Sequence, residues 1–279
     1  MITSASNTRV KKVAALNQKA KERRQEGKYV VEGGKMFLEA QEEEIEEIYA
    51  VEGFQNAACM EKLAGRPFET VSEEVFRKMS DTAAPQGILC VMRQKKYALA
   101  DLLAAKNPLL MILEDIQDPG NLGTILRTGE GAGIGGVIMS RETADIYNPK
   151  TIRSTLGSIS RVPFVYVSSL EETELQLKAA GIRLLAAHLQ GKSWYDGEDY
   201  RKGSAFLIGN EGNGPREETA ALADTYIKIP MEGRVDSLTA ALASGIPMYG
   251  AARQRRGGCK QCSRNQDRRG THHGRTQHD

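Results

Sequence analysis

The chain of 279 residues has few cysteines, no long apolar run and a net charge of only +2, and these shortages restrict the classes of protein it can belong to. Its four cysteines, Cys59, Cys90, Cys259 and Cys262, are spread out rather than arranged as a disulfide framework, so we expect a reducing, cytoplasmic compartment. No segment approaches the roughly 18 apolar residues that a membrane span needs. The first residues, MITSASNTRVKK, lack the apolar stretch of a secretory signal, and we expect none.

The net charge is small, but both ends of the chain are basic. Residues 1–30 contain eight basic residues against two acids, and residues 253–279 contain eight against Asp267 and Asp279. Basic ends on a near-neutral body fit a polyanionic partner, because phosphate contacts supply affinity that does not depend on sequence. Solvated surface charge is the alternative, and composition alone leaves both open.

Strand and helix patterns alternate along most of the chain, which predicts an α/β fold. We expect one α/β domain in residues 1–94, beginning with a basic helix over residues 7–26, and a polar helical linker in residues 95–106. A second α/β domain is predicted in residues 107–256, where nearly continuous apolar runs such as PLLMILEDI are typical of buried parallel strands.

The segment 257–279 lacks apolar periodicity, and we expect a disordered basic tail that contacts RNA. It contains Cys259-x-x-Cys262 followed by histidines at 272, 273 and 278. A zinc site is the less favoured alternative, because the spacing from the second cysteine to the first histidine is short for a classical finger and no apolar core residues accompany it. We therefore predict no metal site.

Gly131, Gly133 and Gly136 have the G-x-G-x-x-G spacing of a dinucleotide-binding loop. That loop has to open a helix, whereas the apolar residues of NLGTILRTGEGAG recur at helical spacing before the glycines. The glycines are therefore predicted to end a helix, which argues against a dinucleotide site. Asn121 is predicted to be the N-cap of this helix, and Arg127 lies on the face opposite its apolar residues.

Two further segments place polar, glycine-rich loops after strands. LIGNEGNGP, residues 207–215, carries Glu211 in such a loop, and ligands of α/β proteins bind at the carboxyl ends of parallel strands. Glycine there lets the backbone approach a flat ligand closely. In IPMEGRVDSL, residues 229–238, Asp236 or Ser237 is predicted to cap a helix that begins at Leu238.

The segments N-L-G-T-I-L-R-T, I-G-N-E-G-N-G-P and I-P-M-x-G-x-V-x-S-L, in this order, resemble the three motifs of the SpoU (TrmH) family, RNA ribose 2′-O-methyltransferases of the SPOUT superfamily. The N-terminal segments NTRVKK and YVVEGGKMFLEA resemble the small, ribosomal-protein-like α/β substrate-binding domain of one branch of that family. The resemblance implies a C-terminal SPOUT domain with a trefoil knot, S-adenosylmethionine as methyl donor, and RNA as substrate, with 23S ribosomal RNA expected. It also implies an obligate homodimer with the active site at the subunit interface and no membrane partner.

By the same resemblance, the catalytic residues are Asn121 and Arg127 of one subunit, facing Glu211 and Ser237 of the other. The implied donor contacts are Leu207, Gly209, Asn210, Gly212, Ile229, Met231, Leu238 and Thr239. In this family the arginine matching Arg127 is often assigned as the general base, but a guanidinium stays protonated near neutrality. We therefore expect Arg127 to bind phosphate or to stabilise the developing alkoxide, and Glu211, or a water beside it, to take the proton.

Two departures from the family pattern keep an alternative open. Thr239 stands where the family usually has asparagine, so the paired donor and acceptor of an amide are lost. Pro247, between Gly245 and Gly250, interrupts the predicted last helix, where a proline costs about 3 kcal/mol. The alternative is a catalytically impaired RNA-binding or ribosome-assembly protein that retains the fold.

Overall fold

The computed structural model describes residues 1–234 and 237–257. The predicted tail, residues 257–279, lies outside these ranges except for Gly257, and the cysteine and histidine pattern at 259–278 lies outside them with it. Asp236, one of the two predicted caps, is also outside the described residues. In the part that is described, no helix is long and apolar enough to cross a membrane.

Within the described residues, the N-terminal part is built on a mixed four-stranded sheet. Its strands are β1 (Lys28–Glu32), β2 (Ile45–Val51), β3 (Glu69–Val71) and β4 (Ile88–Arg93), in the spatial order β1-β4-β2-β3. Strand β4 pairs antiparallel with β1 and β2, and β3 pairs parallel with β2. The α-helices of this part are α1 (Thr8–Gln18), α2 (Ala20–Glu26), α3 (Gly34–Glu39), α4 (Ala57–Leu63) and α5 (Glu73–Met79).

The single basic helix predicted over residues 7–26 is wrong, because α1 and α2 are separate helices joined by the extended residue Lys19. The buried Arg23 explains the break. Its Nη1 donates to the carbonyl oxygens of Leu16 and Asn17, at 2.7 and 3.2 Å. A side chain of α2 thus satisfies carbonyls at the end of α1 that a continuous helix would have bonded through its backbone.

The second sheet has seven strands among the described residues, and all of them run parallel. They are β5 (Leu109–Leu113), β6 (Gly136–Ser140), β7 (Phe164–Val167), β8 (Arg183–Ala187), β9 (Ser193–Trp194), β10 (Ser204–Ile208) and β11 (Thr225–Lys228), in the order β7-β6-β5-β10-β8-β11-β9. Strands β5, β6 and β10 are buried along their whole length, which explains their apolar sequences. The two-residue strand β9 was not predicted.

The α-helices of this second part are α6 (Leu99–Leu103), α7 (Pro119–Ala132), α8 (Pro149–Thr155), α9 (Leu170–Ala179), α10 (Glu217–Ala220) and α11 (Ala240–Gly257). Helix α7 ends as predicted, because Gly133 takes a left-handed conformation with φ of 76° and its N–H donates to the carbonyl of Glu130. The glycines therefore close a helix and do not open one.

Helix α11 begins at Ala240 rather than at the predicted Leu238. The carbonyl oxygen of Thr239 accepts the N–H of Ala243 at 2.9 Å, which makes Thr239 the residue that precedes the first turn. The prediction that Ser237 caps this helix is therefore wrong. The helix continues through the buried Pro247, since its neighbours on α7 and β10 hold it by packing.

Residues of both sheets share one hydrophobic core. Tyr29 of β1 and Tyr147, which precedes α8, contact each other with ring centroids 4.6 Å apart. Leu102 of α6 is buried as well, so the predicted linker packs against the second sheet. The two parts therefore pack closely, and the domain bounds at residues 94 and 106 stay predictions.

Candidate active site

The loops after β5 and β10 meet because these two strands are neighbours in the sheet. The chain leaves β5 towards β6 on one side and leaves β10 towards β11 on the other, and ligands of open parallel sheets bind at such a reversal. The side-chain amide of Asn210 donates to the backbone oxygen of Asp115 at 3.0 Å and joins the two loops. A cavity of about 320 Å³ lies between them, with Glu114 and Asn213 among its lining residues.

Helix α7 starts beside this crevice, and its N-cap is Asp118. The Oδ1 atom of Asp118 accepts the N–H of Asn121 at 2.8 Å, so Asn121 lies inside the first turn and its prediction as the N-cap is wrong. Pro119 fits the first helical position, where a missing N–H costs nothing. Lys150 Nζ lies 2.8 Å from Asp118 Oδ2, and this hydrogen bond holds the pKa of the Asp118 carboxyl below its usual range.

Asn121 and Glu211 contact each other within one chain. The Nδ2 atom of Asn121 donates to Glu211 Oε1 at 3.1 Å. Asn121 therefore meets Glu211 of its own chain, and the predicted facing of Asn121 and Arg127 towards Glu211 and Ser237 of the other subunit stays a prediction. The reason for the contact within one chain is the strand order, because β10 is inserted beside β5 and the loops that follow both strands belong to the same subunit.

Arg127 does not join this pair. It is exposed on α7, on the same strip as the exposed Thr124 and Gly131, and within the described residues it forms no hydrogen bond or ion pair. Ser237 is also exposed and lies just before the start of α11. The structure thus brings together two of the four predicted catalytic residues, Asn121 and Glu211.

A buried carboxylate holds the base of the loop that carries Glu211. Glu114, directly after β5, is 1% exposed and accepts three hydrogen bonds. The backbone N–H and the Nε of Arg216 each donate to it at 2.7 Å, and Thr219 Oγ1 donates at 2.8 Å. These residues lie outside the three sequence motifs and were not predicted. An acid at the end of an apolar strand, as in LLMILE, was the available signal.

The same loop depends on Gly209 for its shape. A Cβ atom at this position would overlap the backbone nitrogen of Pro215, so the loop can fold back on itself only with glycine. The N–H of Gly214 donates to the carbonyl of Asn210 and the N–H of Gly212 donates to its Oδ1, both at 2.9 Å. These bonds leave the Glu211 side chain exposed at the tip.

A second buried acid, Glu174 of α9, lies close enough to Glu114 for their charges to interact. It is 1% exposed, and its Oε2 atom has no hydrogen-bond partner among the described residues. Burial raises the pKa of Glu174 to about 8, and the nearby Glu114 carboxylate adds to the rise. Glu174 is therefore protonated at neutral pH, which avoids two buried charges side by side.

The predicted donor-contacting residues lie mainly in two segments. Gly209, Asn210 and Gly212 belong to the loop after β10, and Ile229, Met231, Leu238 and Thr239 lie between β11 and α11. Leu207 differs from the others, because it lies inside β10 and is 1% exposed, with its side chain in the core.

These segments have the chemistry that an adenosyl methyl donor needs. Strands β10, β8 and β11 are neighbours, so the loops that follow them open on one edge of the sheet. Leu189 after β8 is 74% exposed and Met231 after β11 is 37% exposed, so both present apolar atoms to solvent beyond this edge. Apolar side chains suit the faces of a purine, and the backbone of a folded glycine loop suits its polar edge. Leu189 lies outside the three sequence motifs and was not predicted.

Two family models match the chain. The model of the SpoU rRNA Methylase family matches residues 108–249, and that of the MRM3-like substrate binding domain matches residues 7–90. Among curated relatives, the 23S rRNA (guanosine(2553)-2′-O)-methyltransferase RlmP of Bacillus subtilis is 31% identical over 89% of this chain and 97% of its own length. The 23S rRNA (guanosine-2′-O-)-methyltransferase RlmB of Vibrio vulnificus is 33% identical over 81% of this chain and 96% of its own length.

Solved structures agree with the family models. An AdoMet-bound rRNA methyltransferase from Sinorhizobium meliloti is 32% identical, with a TM-score of 0.79 over 90% of this chain and 97% of that one. The SpoU methyltransferase AviRb from Streptomyces viridochromogenes, in complex with AdoMet, is 26% identical, with a TM-score of 0.80 over 89% of this chain and 98% of that one. The family and the SPOUT-type α/β fold expected from the three motifs are thereby confirmed, and the chain belongs to the SpoU rRNA Methylase family.

Proposed function

We propose that this protein transfers a methyl group from S-adenosylmethionine to a ribose 2′-hydroxyl of 23S ribosomal RNA. The observation that carries the proposal is the hydrogen bond of Asn121 to Glu211 at the reversal point of the parallel sheet. Membership of an rRNA methylase family and the AdoMet-bound structural relatives support the donor and the reaction. The names of the relatives support 23S rRNA as the substrate and the cytoplasm, where bacterial ribosomes form, as the place of action.

S-adenosylmethionine, when bound, supplies an electrophilic methyl group to which the 2′-oxygen forms its new bond as the bond from carbon to sulfur breaks. The residues that would hold it are the backbone of Gly209 and Asn210 and the side chains of Ile229 and Met231. The work of the chain is to align the hydroxyl with this methyl group and to accept the hydroxyl proton.

Glu211 is the proposed proton acceptor. Asn121 donates to its Oε1 atom and so restrains that oxygen, while Oε2 accepts no hydrogen bond within the described residues. An exposed carboxylate oxygen held in this way can take a proton directly or through a water molecule. The buried Glu114, by contrast, has both oxygens occupied and serves as an anchor.

The proposed active form is a homodimer in which Arg127 of one subunit serves the site of the other. Arg127 does not contact Glu211 of its own chain, and it is exposed on α7, which packs against α11. Leu242 and Tyr249 of α11 are 56% and 46% exposed. Exposed apolar residues on α11 and an unpaired cation on the neighbouring α7 favour a subunit interface over bare solvent. The trefoil knot typical of this fold remains part of the proposal.

Three measurements test the proposal. Calorimetry should detect the binding of S-adenosylmethionine to the protein. The alternative, a catalytically impaired RNA-binding protein, predicts either no such binding or binding without methyl transfer. Mapping of 2′-O-methyl groups in cells with and without the gene should reveal one missing site in 23S rRNA. A fragment carrying that nucleotide should accept a methyl group, and the same fragment with a 2′-deoxy nucleotide there should not. Methylation of the deoxy fragment would exclude the ribose as the target.

A further inference from the structure

The cavity of about 320 Å³ between the loops after β5 and β10 is lined by several side chains to which the proposed methyl transfer gives no role. Asp115 lines it from the loop after β5, Glu142 from the loop after β6, and Arg216 from the loop after β10. Ligand pockets range from about 300 to 1,000 Å³, so this one is suited to a small group such as a single nucleobase. Asn213, two residues after Glu211, also lines it, so the cavity adjoins the loop of the proposed proton acceptor.

Asp115 is held in place by a hydroxyl group at the end of β6. Its backbone is left-handed, with φ of 57°, a conformation that aspartate tolerates better than most residues. Ser140 Oγ donates to Asp115 Oδ1 at 2.7 Å and accepts the N–H of Asp115 at 2.8 Å. Ser140 is buried, and its Oγ lies 3.0 Å from Oγ1 of the buried Thr143. A carboxylate has about four acceptor positions, so both oxygens of the restrained Asp115 can still accept from a ligand.

Arg216 presents a cation to the same cavity. Its backbone N–H and its Nε both donate to Glu114, which restrains the guanidinium, while Nη1 and Nη2 donate to no residue in the described part of the chain. The hydrogen bond to Glu114 raises the pKa of Arg216, and the charges of Glu114 and Asp115 add to this rise, so Asp115 lies near the guanidinium. The cavity therefore offers acceptors from Asp115 and donors from Arg216.

The other side chains of the cavity add mainly acceptors. Gln117 uses both hydrogens of Nε2 on the backbone oxygens of Asp115 and Glu142, at 3.2 and 2.7 Å, which leaves its Oε1 atom. The Glu142 side chain is exposed and forms no ion pair within the described ranges, whereas Asp115 is held by its buried partner. The positive charge of Arg216 disfavours a metal ion as the occupant. A matching ligand therefore has several donors and an acceptor for the guanidinium.

Guanine is the RNA base that has this set of groups. Its N1–H and its 2-amino group lie side by side, so both can donate to one carboxylate, and its O6 and N7 atoms accept from arginine. Adenine and cytosine place a ring nitrogen acceptor beside their amino group, where it would face the carboxylate oxygen. Uracil has a single N–H between two carbonyl groups. A carboxylate that acts only as an acceptor therefore favours guanine over the other three bases.

We propose that this cavity binds the base of the target nucleotide and selects guanine, with Asp115 accepting from N1–H and the 2-amino group and Arg216 donating to O6. This rests on the proposed function, because the base belongs to the nucleotide whose 2′-hydroxyl receives the methyl group. Bases of single-stranded RNA turn outwards and are read by hydrogen bonds to their edges. Asp115 is thus a specificity-determining residue, whereas Glu211 acts on the ribose.

The first test varies the base of the target nucleotide. The rRNA fragment with the mapped methylation site is prepared with guanosine, inosine, adenosine or uridine at that position, and kcat/KM for methyl transfer is measured. Inosine lacks only the 2-amino group, and the loss of one hydrogen bond to a charged acceptor predicts a fall of about tenfold to a hundredfold. Adenosine and uridine should be poorer still. Equal kcat/KM on the four fragments, or a mapped nucleotide other than guanosine, would overturn the proposal.

The second test assigns the discrimination to Asp115. Asp115→Asn keeps an oxygen for the Ser140 hydroxyl but turns an amino group towards the donors of guanine, so the preference for guanosine over inosine should fall towards one. The matched control is Glu217→Gln, an exposed acid of α10 that does not line the cavity, and it should keep the wild-type preference. Thermal unfolding and calorimetry with S-adenosylmethionine check that both variants are folded. A preference that is unchanged in the folded Asp115→Asn variant, or lost equally in the control, would overturn the role of Asp115.

The base pocket and the proposed reaction fail in distinguishable ways, because equilibrium binding of the same four fragments is measured beside catalysis. Equal methylation of all four would remove the pocket and leave the enzyme. If the wild type methylates no fragment but binds the guanosine fragment about tenfold more tightly than the inosine fragment, and Asp115→Asn abolishes this difference, the pocket stands and the reaction is removed. Equal binding of all fragments without methylation would remove both.

Discussion

Two carboxylates, Glu114 and Glu211, lie at the base and at the tip of the loop after β10. Their surroundings differ, and we expect their roles to differ as well. Glu114 at the base is buried and accepts three hydrogen bonds from Arg216 and Thr219. Glu211 at the tip is exposed and accepts one, from Asn121. A carboxylate with every oxygen occupied stabilises structure, whereas one with a free oxygen in a crevice can take a proton. The comparison predicts that changes at Glu211 affect catalysis and changes at Glu114 affect stability.

The largest effect is expected from Glu211→Gln. Glutamine can still accept the hydrogen bond of Asn121 but cannot take a proton, so kcat should fall by about 10²–10⁴-fold. The free energy of unfolding should stay within about 0.5 kcal/mol of wild type, because the side chain is exposed. Methyl transfer from labelled donor and urea unfolding measure the two quantities. Glu217→Gln, an exposed acid on α10, is the control and should leave both unchanged.

Glu114→Gln should reverse this pattern. Its amide nitrogen would face a donor of Arg216, and the loss of charge-assisted bonds at a buried site should lower the free energy of unfolding by about 1.5–3 kcal/mol. The looser loop should weaken donor binding more than it lowers kcat at saturating donor. Urea unfolding and calorimetry check the two parts. An unchanged unfolding free energy would show that Glu114 is not the anchor.

Glu174→Gln should change the dependence of stability on pH. The pKa of Glu174 is about 8 in the folded chain against 4.5 for an ordinary glutamate. Between these values the unfolded state ionises and the folded state does not, so stability falls as pH rises, by up to about 1.4 kcal/mol per unit. A glutamine at position 174 does not ionise, so the variant does not lose stability in this way as pH rises. Unfolding from pH 5 to 8 should therefore show a smaller decline in the variant, and parallel curves for variant and wild type would contradict the assignment.

The smallest effect is expected from Asn121→Ala, which removes the one side-chain bond that orients Glu211. Because this bond is exposed, we take the typical net value of about 1 kcal/mol, so kcat should fall by about fivefold with S-adenosylmethionine affinity unchanged. Thr124→Ala on the same helix is the control, since among the described residues the exposed Thr124 bonds only to the backbone of its own turn. Equal losses in both variants would indicate a general disturbance of α7.

The sequence predicted the strands well where burial was complete, as in β5 and β10, because a parallel strand covered on both faces is apolar throughout. The end of α7 was also predictable, since Gly133 is needed for a left-handed residue. The start of α7 was misassigned because Asp118 and Asn121 are both good caps, and only the position of Pro119 distinguishes them.

The contact of Asn121 with Glu211 could not be derived from local pattern, because it depends on the insertion of β10 between β5 and β8. Strand order is a long-range property that no single segment encodes. The break between α1 and α2 was missed because it accompanies the burial of Arg23, which donates to the carbonyls of Leu16 and Asn17 and also to Asp145, 122 residues further along the chain. The family motifs predicted the functional residues, and the fold determines which of these residues contact each other.

The dependence of the methyl-transfer rate on pH tests most directly which residue takes the proton. It should be recorded for wild type, Arg127→Lys and Glu211→Gln, with RNA and donor affinities measured beside it. If Glu211 is the acceptor, Arg127→Lys lowers the rate but keeps the acidic limb of the profile, and Glu211→Gln removes that limb. The contradictory result is abolition of transfer in Arg127→Lys alone, with both substrates still bound and the Glu211→Gln profile unchanged.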